Sequence, residues 1–263
     1  MTKSVAFKRR QSKTSNKKER RSSRQHGSFS ESTNTALGIK FDQNFHIKNV
    51  IPKTKIQEEI LGSWANTSNH ILLHGYAGVG KSYISLFLAL KEVLEKQNYE
   101  KIIIIRSTSQ IRDMGFLPGK ADEKIAEFEA PYKDIVNDLF SRGDAYSILK
   151  AKGVLEFHST SFIRGKTFNN AIMILEEIQN YTEAECVGIF TRVGKNSRVL
   201  VNGDDRQIDL SGKKNDISWI HNILKIIYDM DSFDVFEFQF EDIVRSKFVK
   251  EFMMSYERLF SNP

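Results

Sequence analysis

His70-Ile71-Leu72-Leu73-His74 followed by Gly75-Tyr76-Ala77-Gly78-Val79-Gly80-Lys81-Ser82 is the stretch that decides how this chain is read. The first five residues form a short apolar run suited to a buried strand. The next eight fit G-x-x-x-x-G-K-[ST] at every fixed position. Tyr83, Ile84, Leu86, Phe87, Leu88, Leu90, Val93 and Leu94 then make a helix apolar on nearly all sides, and such a helix belongs against the centre of a sheet. Strand, glycine loop and helix is the setting in which a loop of this kind holds phosphates. The glycines let the backbone curl so that amide N–H groups point inward. The helix N-terminus adds a dipole that favours an anion. Gly75, Tyr76, Ala77, Gly78, Val79, Gly80, Lys81, Ser82 and the adjoining Tyr83 are therefore the expected nucleotide-binding set. Lys81 is expected to reach the β- and γ-phosphates of ATP, and Ser82 to ligate Mg2+.

Outward from this loop, apolar runs recur at Ile71–Leu73, Ile102–Ile105, Val154–Phe157, Ile172–Leu175, Val199–Val201 and Val235–Phe240. Helical patterns lie between and after them, at Ser82–Glu95, Asp122–Phe140, Thr182–Val193, Ile217–Tyr228 and Phe248–Phe260. Short buried strands separated by helices predict an α/β fold with a doubly wound, mostly parallel sheet. No internal repeat is visible.

Two of these strands end in polar residues. Ile172-Met173-Ile174-Leu175 runs into Glu176 and Glu177, and in proteins with such a loop the first acid holds the metal while a following Glu activates water. Glu176 stands where Asp is usual, and its extra methylene carries the carboxylate outward. An ordinary charged pair at a strand end is the other reading. Arg198-Val199-Leu200-Val201 ends in Asn202-Gly203-Asp204-Asp205-Arg206-Gln207. Loops at the carboxyl ends of parallel strands converge on one crevice, so Gln207 is a candidate to orient the attacking water, unless the turn is a plain loop.

The charge is unevenly placed. The chain of 263 residues carries a net +6. Residues 1–36 hold ten Lys or Arg against Glu19 and Glu31, so the tail is about +8 and the rest about −2. The tail has too little to bury to offset its ordering entropy and is expected to be disordered. Its basic clusters suit phosphate backbones, or it is a solubilising tail. The body, residues 37–263, is expected to be a single domain. No apolar run approaches the ~18 residues of a membrane helix, and the N-terminus does not resemble a signal peptide, so a cytoplasmic location is expected. The single Cys186 excludes an internal disulfide and any multi-cysteine metal site.

From about residue 45 to 260 the chain resembles the PhoH-like ATPases, in particular their phage-borne branch. The resemblance rests on Gly75–Ser82, Arg106-Ser107-Thr108, Gly115-Phe116-Leu117-Pro118-Gly119 with Glu123-Lys124, Ser161-Phe162-Ile163-Arg164-Gly165, Glu176-Glu177-Ile178-Gln179-Asn180, Thr191-Arg192-Val193-Gly194, Gly203–Leu210 and Asp242-Ile243-Val244-Arg245-Ser246. The resemblance implies a RecA-like core related to superfamily 1 helicases, ATP hydrolysis, single-stranded RNA or DNA as partner, and assembly into homo-oligomers such as hexameric rings. The family name records a link to phosphate starvation. By the same resemblance Arg245 contacts the γ-phosphate, often across a subunit boundary, and Gln57, after Pro52-Lys53-Thr54, reads the adenine edge. Glu176 departs from the family's Asp. The Gly115–Gly119 loop, with Phe116 and Leu117, could stack on a base, dock a neighbouring subunit or plug the core.

The leading expectation is a nucleic-acid-stimulated ATPase, of which an RNA or DNA helicase is one form. A small-molecule phosphotransferase is the alternative from another class, and a non-motor ATP-dependent assembly protein is a third.

Overall fold

The structure, a computed structural model, describes residues 41, 45–107, 121–163, 165–204 and 214–260. The basic tail, the Gly115–Gly119 loop, Thr108, Arg164 and the 205–213 turn with Gln207 lie outside the described residues.

Six parallel strands form one sheet: β1 (His70–Gly75), β2 (Lys101–Arg106), β3 (Leu155–Ser159), β4 (Ala171–Glu176), β5 (Arg198–Asn202) and β6 (Phe233–Phe238), in the spatial order β3-β2-β4-β5-β1-β6. All six apolar runs of the sequence are strands, and the last begins at Phe233 rather than Val235. The two strands that end in the expected phosphate and metal motifs, β1 and β4, are separated by β5 alone.

The helices α1 (Lys55–Asn66), α2 (Lys81–Leu90), α3 (Ala121–Leu139), α4 (Ala145–Ala151), α5 (Glu183–Phe190), α6 (Lys214–Asp229) and α7 (Lys247–Phe260) surround the sheet. Successive strand residues point to opposite faces, so each strand feeds two cores. Ile71, Leu73, Ile102, Ile104, Ile172 and Ile174 pack with α1, α2, α3 and α4. Leu72, Ile103, Ile105, Met173, Leu175 and Val201 pack with α5 and α6. Coverage on both faces is why the strands read as unbroken apolar runs. The chain is thus a doubly wound α/β protein with the fold of a P-loop NTPase.

Two helices escape the periodicity of the sequence. In α1, Thr54 is the N-cap and accepts from the Gln57 N–H at 3.5 Å; Thr54-x-x-Gln57 is a capping-box spacing. The seven residues of α4 are too few for a helical period to declare itself. At its far end α2 passes into a π turn over Lys91–Glu95.

Candidate nucleotide site

The P-loop leaves β1 at Gly75 and enters α2 at Lys81, and Gly75, Gly78 and Gly80 all have positive φ, at 104°, 78° and 91°. The close approach is tightest at Gly75, where a Cβ would lie 2.3 Å from the Phe238 carbonyl oxygen of β6. The loop also receives the chain that follows β6. Val244 N–H donates to the Gly78 carbonyl at 3.2 Å, and a Cβ on Gly78 would lie 2.8 Å from Arg245 Cγ. Arg245 therefore packs against the P-loop of its own chain.

Gln57 braces the loop from the other side. Its side-chain amide donates to the Val79 carbonyl at 3.0 Å and accepts from Lys53 N–H at 2.8 Å. It is buried, and one N–H and one acceptor lone pair remain beyond those bonds. Lys81 Nζ donates to the carbonyls of Gly75 at 2.8 Å and Tyr76 at 2.7 Å, which keeps the ammonium within the curl of the loop.

Glu176 meets the P-loop helix from β4. It ends β4 beside Arg106 of β2 in register and is only 1% exposed. Ser82 Oγ donates to its Oε2 at 2.8 Å, and Asn202 Nδ2 to its Oε1 at 2.7 Å. Burial pushes its pKa up to about 7; the bonds from Ser82 and Asn202 pull the other way, and the neighbouring Glu177 charge adds to the rise. Glu176 thus joins the end of β4 to Ser82, 94 residues away in sequence.

Glu177 adopts a left-handed backbone, φ 55°, a conformation that costs a non-glycine residue on the order of 1 kcal/mol or more. Gln179 holds it, donating to Glu177 Oε2 at 2.5 Å while accepting from Asp204 N–H at 3.0 Å. Gln179 thereby ties the end of β4 to the turn after β5. Gly203 completes the junction, since a Cβ there would lie 2.7 Å from Ile178 Cγ2. Asn202, which also accepts from Ser85 Oγ at 3.0 Å, and Gln179 are site residues to which sequence reasoning gave no role. The signal for Gln179 was its place in the Glu176–Asn180 block.

These groups share one cavity of about 950 Å3, lined among others by Gln57, Gly78, Lys81, Ser82, Glu176, Glu177, Asp204 and Arg245. That volume is at the upper end for a small-molecule site. Gln207 falls outside the described residues.

The oxygen donors suit magnesium. Among the described residues there is no group of three or more His, Cys, Asp or Glu that could hold a metal by itself. Magnesium commonly takes one or two protein oxygens and completes its shell with water and substrate phosphates. The adjacent Ser82 Oγ and Glu176 carboxylate fit that pattern.

A family model described as PhoH-like protein matches residues 49–257. A PhoH-like protein of Mycobacterium bovis is 33% identical over 213 residues, covering 80% of this chain and 59% of that protein. Protein PhoH of Escherichia coli K12 is 34% identical over 188 residues, covering 71% of this chain and 52% of that one. The chain thus spans a little over half the length of these curated relatives. Among solved structures, the large terminase of a thermophilic bacteriophage overlays with a TM-score of 0.47 at 14% identity, covering 80% of this chain and 51% of that one. The P-loop, the acid pair on β4 and the Asp242–Ser246 segment all lie within the span matched by the family model, and on that match the chain belongs to the PhoH-like protein family.

Proposed function

We propose that this chain is an ATPase that hydrolyses ATP with magnesium at the P-loop. One observation carries the reading: Ser82 of α2 and Glu176 of β4 meet at 2.8 Å inside a cavity that Lys81, Glu177 and Arg245 also line. In the proposed arrangement the loop amides and Lys81 bind the triphosphate. Ser82 and Glu176 would hold magnesium, which supplies charge neutralisation across the β- and γ-phosphates. A cation there would also favour the ionised form of a carboxylate that burial keeps partly protonated. Glu177 takes the proton of the attacking water, with Gln179 fixing its rotamer. Arg245, beside Gly78, offers a guanidinium to the γ-phosphate of the same chain. Gln207 is kept as a second water-orienting group, from sequence alone.

Nucleic-acid stimulation belongs to the same proposal. Its support is the basic tail of residues 1–36 together with family membership. Self-association is supported by the stripe Phe248, Phe252, Tyr256 and Leu259 on α7, all exposed and spaced to fall on one face. The domain boundary at about residue 37 remains part of the proposal, since the change in composition there is its whole basis.

Glu177→Gln tests the reaction assignment. The variant should bind ATP with magnesium as tightly as the parent and hydrolyse it at least 100-fold more slowly, because general-base help of this kind is worth about 10²–10⁴. Both proteins should be assayed with and without single-stranded RNA and DNA. Parental turnover by Glu177→Gln would move the base to another residue. A parent indifferent to both polymers would remove nucleic acid from the reading.

A further inference from the structure

The cavity continues past the P-loop. Beyond Tyr83 it runs between the Lys48–Lys53 segment and α3, where Val50, Ile51, Pro131 and Ile135 line it. These walls are apolar, and Ile51 leaves 76% of its surface exposed. Pro131, in the interior of α3, has no N–H to present there. Apolar side chains of this kind suit the faces of an aromatic ring.

One carboxylate stands in this section. Asp138 Oδ2 accepts from Lys48 Nζ at 2.6 Å and from Tyr83 Oη at 2.8 Å. The Lys48 bond, aided by Tyr83, holds the carboxyl below the usual carboxylate range against the opposing effect of burial. Both donors land on the same oxygen. A carboxylate has about four acceptor positions over its two oxygens, so Oδ1 keeps its capacity to accept from a ligand in the cavity that Asp138 lines. Lys48 is itself tied to α3 by its backbone N–H, which donates to the Leu139 carbonyl at 2.9 Å. The carboxylate is thus oriented in advance, and orientation in advance lowers the cost of binding.

The position along the ligand follows from the chain. Tyr83 adjoins Ser82, at the end of the phosphate loop, and the group next to the phosphates in a nucleotide is its sugar. We propose that this end of the cavity is a ribonucleoside site, in which Asp138 accepts a hydrogen bond from a ribose hydroxyl while Val50, Ile51, Pro131 and Ile135 enclose the base. The inference rests on the reading of the loop as a triphosphate site, and it adds a substrate class: ribonucleotides over deoxyribonucleotides. Asp138 here is a specificity residue that touches the ligand and takes no part in bond cleavage.

The test is competition binding to the whole chain, in magnesium, of ATP, 2′-deoxy-ATP, 3′-deoxy-ATP and inorganic tripolyphosphate. Parent, Asp138→Ala and Lys81→Ala are compared. The parent should prefer ATP over at least one deoxy analogue by about tenfold, as expected for a hydrogen bond to a charged group. Asp138→Ala should lose that preference by binding ATP about tenfold more weakly, a loss that does not extend to tripolyphosphate. Because tripolyphosphate binding reports on a folded loop in the same preparation, an unfolded variant is recognised at once. Equal parental affinity for all three nucleosides overturns the proposal, and so does an Asp138→Ala loss shared equally by tripolyphosphate. Should Lys81→Ala bind tripolyphosphate like the parent, the loop reading itself fails, and the ribonucleoside site falls with it.

Discussion

Glu176 joins the end of β4 to the P-loop helix. Its carboxylate accepts from the Ser82 hydroxyl on one oxygen and from Asn202 on the other. It is a fully buried acid with a pKa of about 7, raised from 4.5 chiefly by burial. Between those two values the native state binds more protons than the unfolded chain, so this group's contribution to stability falls as pH rises. In chelator, the parent should lose on the order of 2 kcal/mol from this residue between about pH 4.5 and 7. Glu176→Gln removes the charge and keeps both bonding partners, so its denaturation curves should lack that part of the pH slope. At pH 8 without magnesium it should melt higher than the parent, while magnesium with ATP should stabilise only the parent. Identical pH slopes for the two proteins would show that this carboxylate is not the source. The sequence made Glu176 visible as a departure from Asp. It did not show Asn202 as its support, nor Gln179 as the tie between Glu177 and Asp204, because those contacts join strand ends that only the sheet order brings together.

At the level of elements, the β1–loop–α2 unit was legible because each local choice in it agrees with the others. An apolar strand, three glycines at positive φ and an apolar helix point to one structure. Gly75 is where loop geometry and sheet packing coincide. A side chain there would meet the Phe238 backbone oxygen, and the backbone at φ 104° disfavours any L residue in addition. Gly75→Ala should therefore destabilise the chain by about 2–4 kcal/mol, a clash and a strained dihedral together, read as a lower urea midpoint with an unchanged slope. A change below about 0.5 kcal/mol would mean that β6 is not held against the loop as described. The elements missed from sequence were those whose stability comes from elsewhere. The helix α1 owes its place to Ile60 and Trp64 in the core and to Gln57 on the loop. The short α4 is held by the α3 side chains Asn137, which accepts from Tyr146 N–H, and Glu129, which accepts from the Tyr146 hydroxyl. Neither support leaves a periodic trace.

Over the whole molecule, the strand order brings the ends of β1, β4 and β5 and the segment after β6 to a single cavity. Among the described residues no helix is long and apolar enough to cross a membrane. Arg245 and Lys81 line that cavity within one chain, and in the proposed reading the arginine serves the triphosphate bound to its own chain. Mixing Lys81→Ala with Arg245→Ala, each inactive alone, should then restore no hydrolysis even where the two co-assemble in solution. Recovery of activity in the mixture would transfer Arg245 to the site of an adjoining subunit. The family and the doubly wound sheet were open to reading from sequence, since motif order and apolar runs survive without coordinates. The place of Arg245 beside Gly78 was not, because it depends on where β6 delivers the chain. The most direct measurement on the central claim is magnesium-dependent phosphate release from ATP by the parent and by Lys81→Ala, with circular dichroism on both. The account predicts turnover by the parent that chelator abolishes, and none above background by a folded Lys81→Ala. Equal phosphate release by the two folded proteins would contradict it.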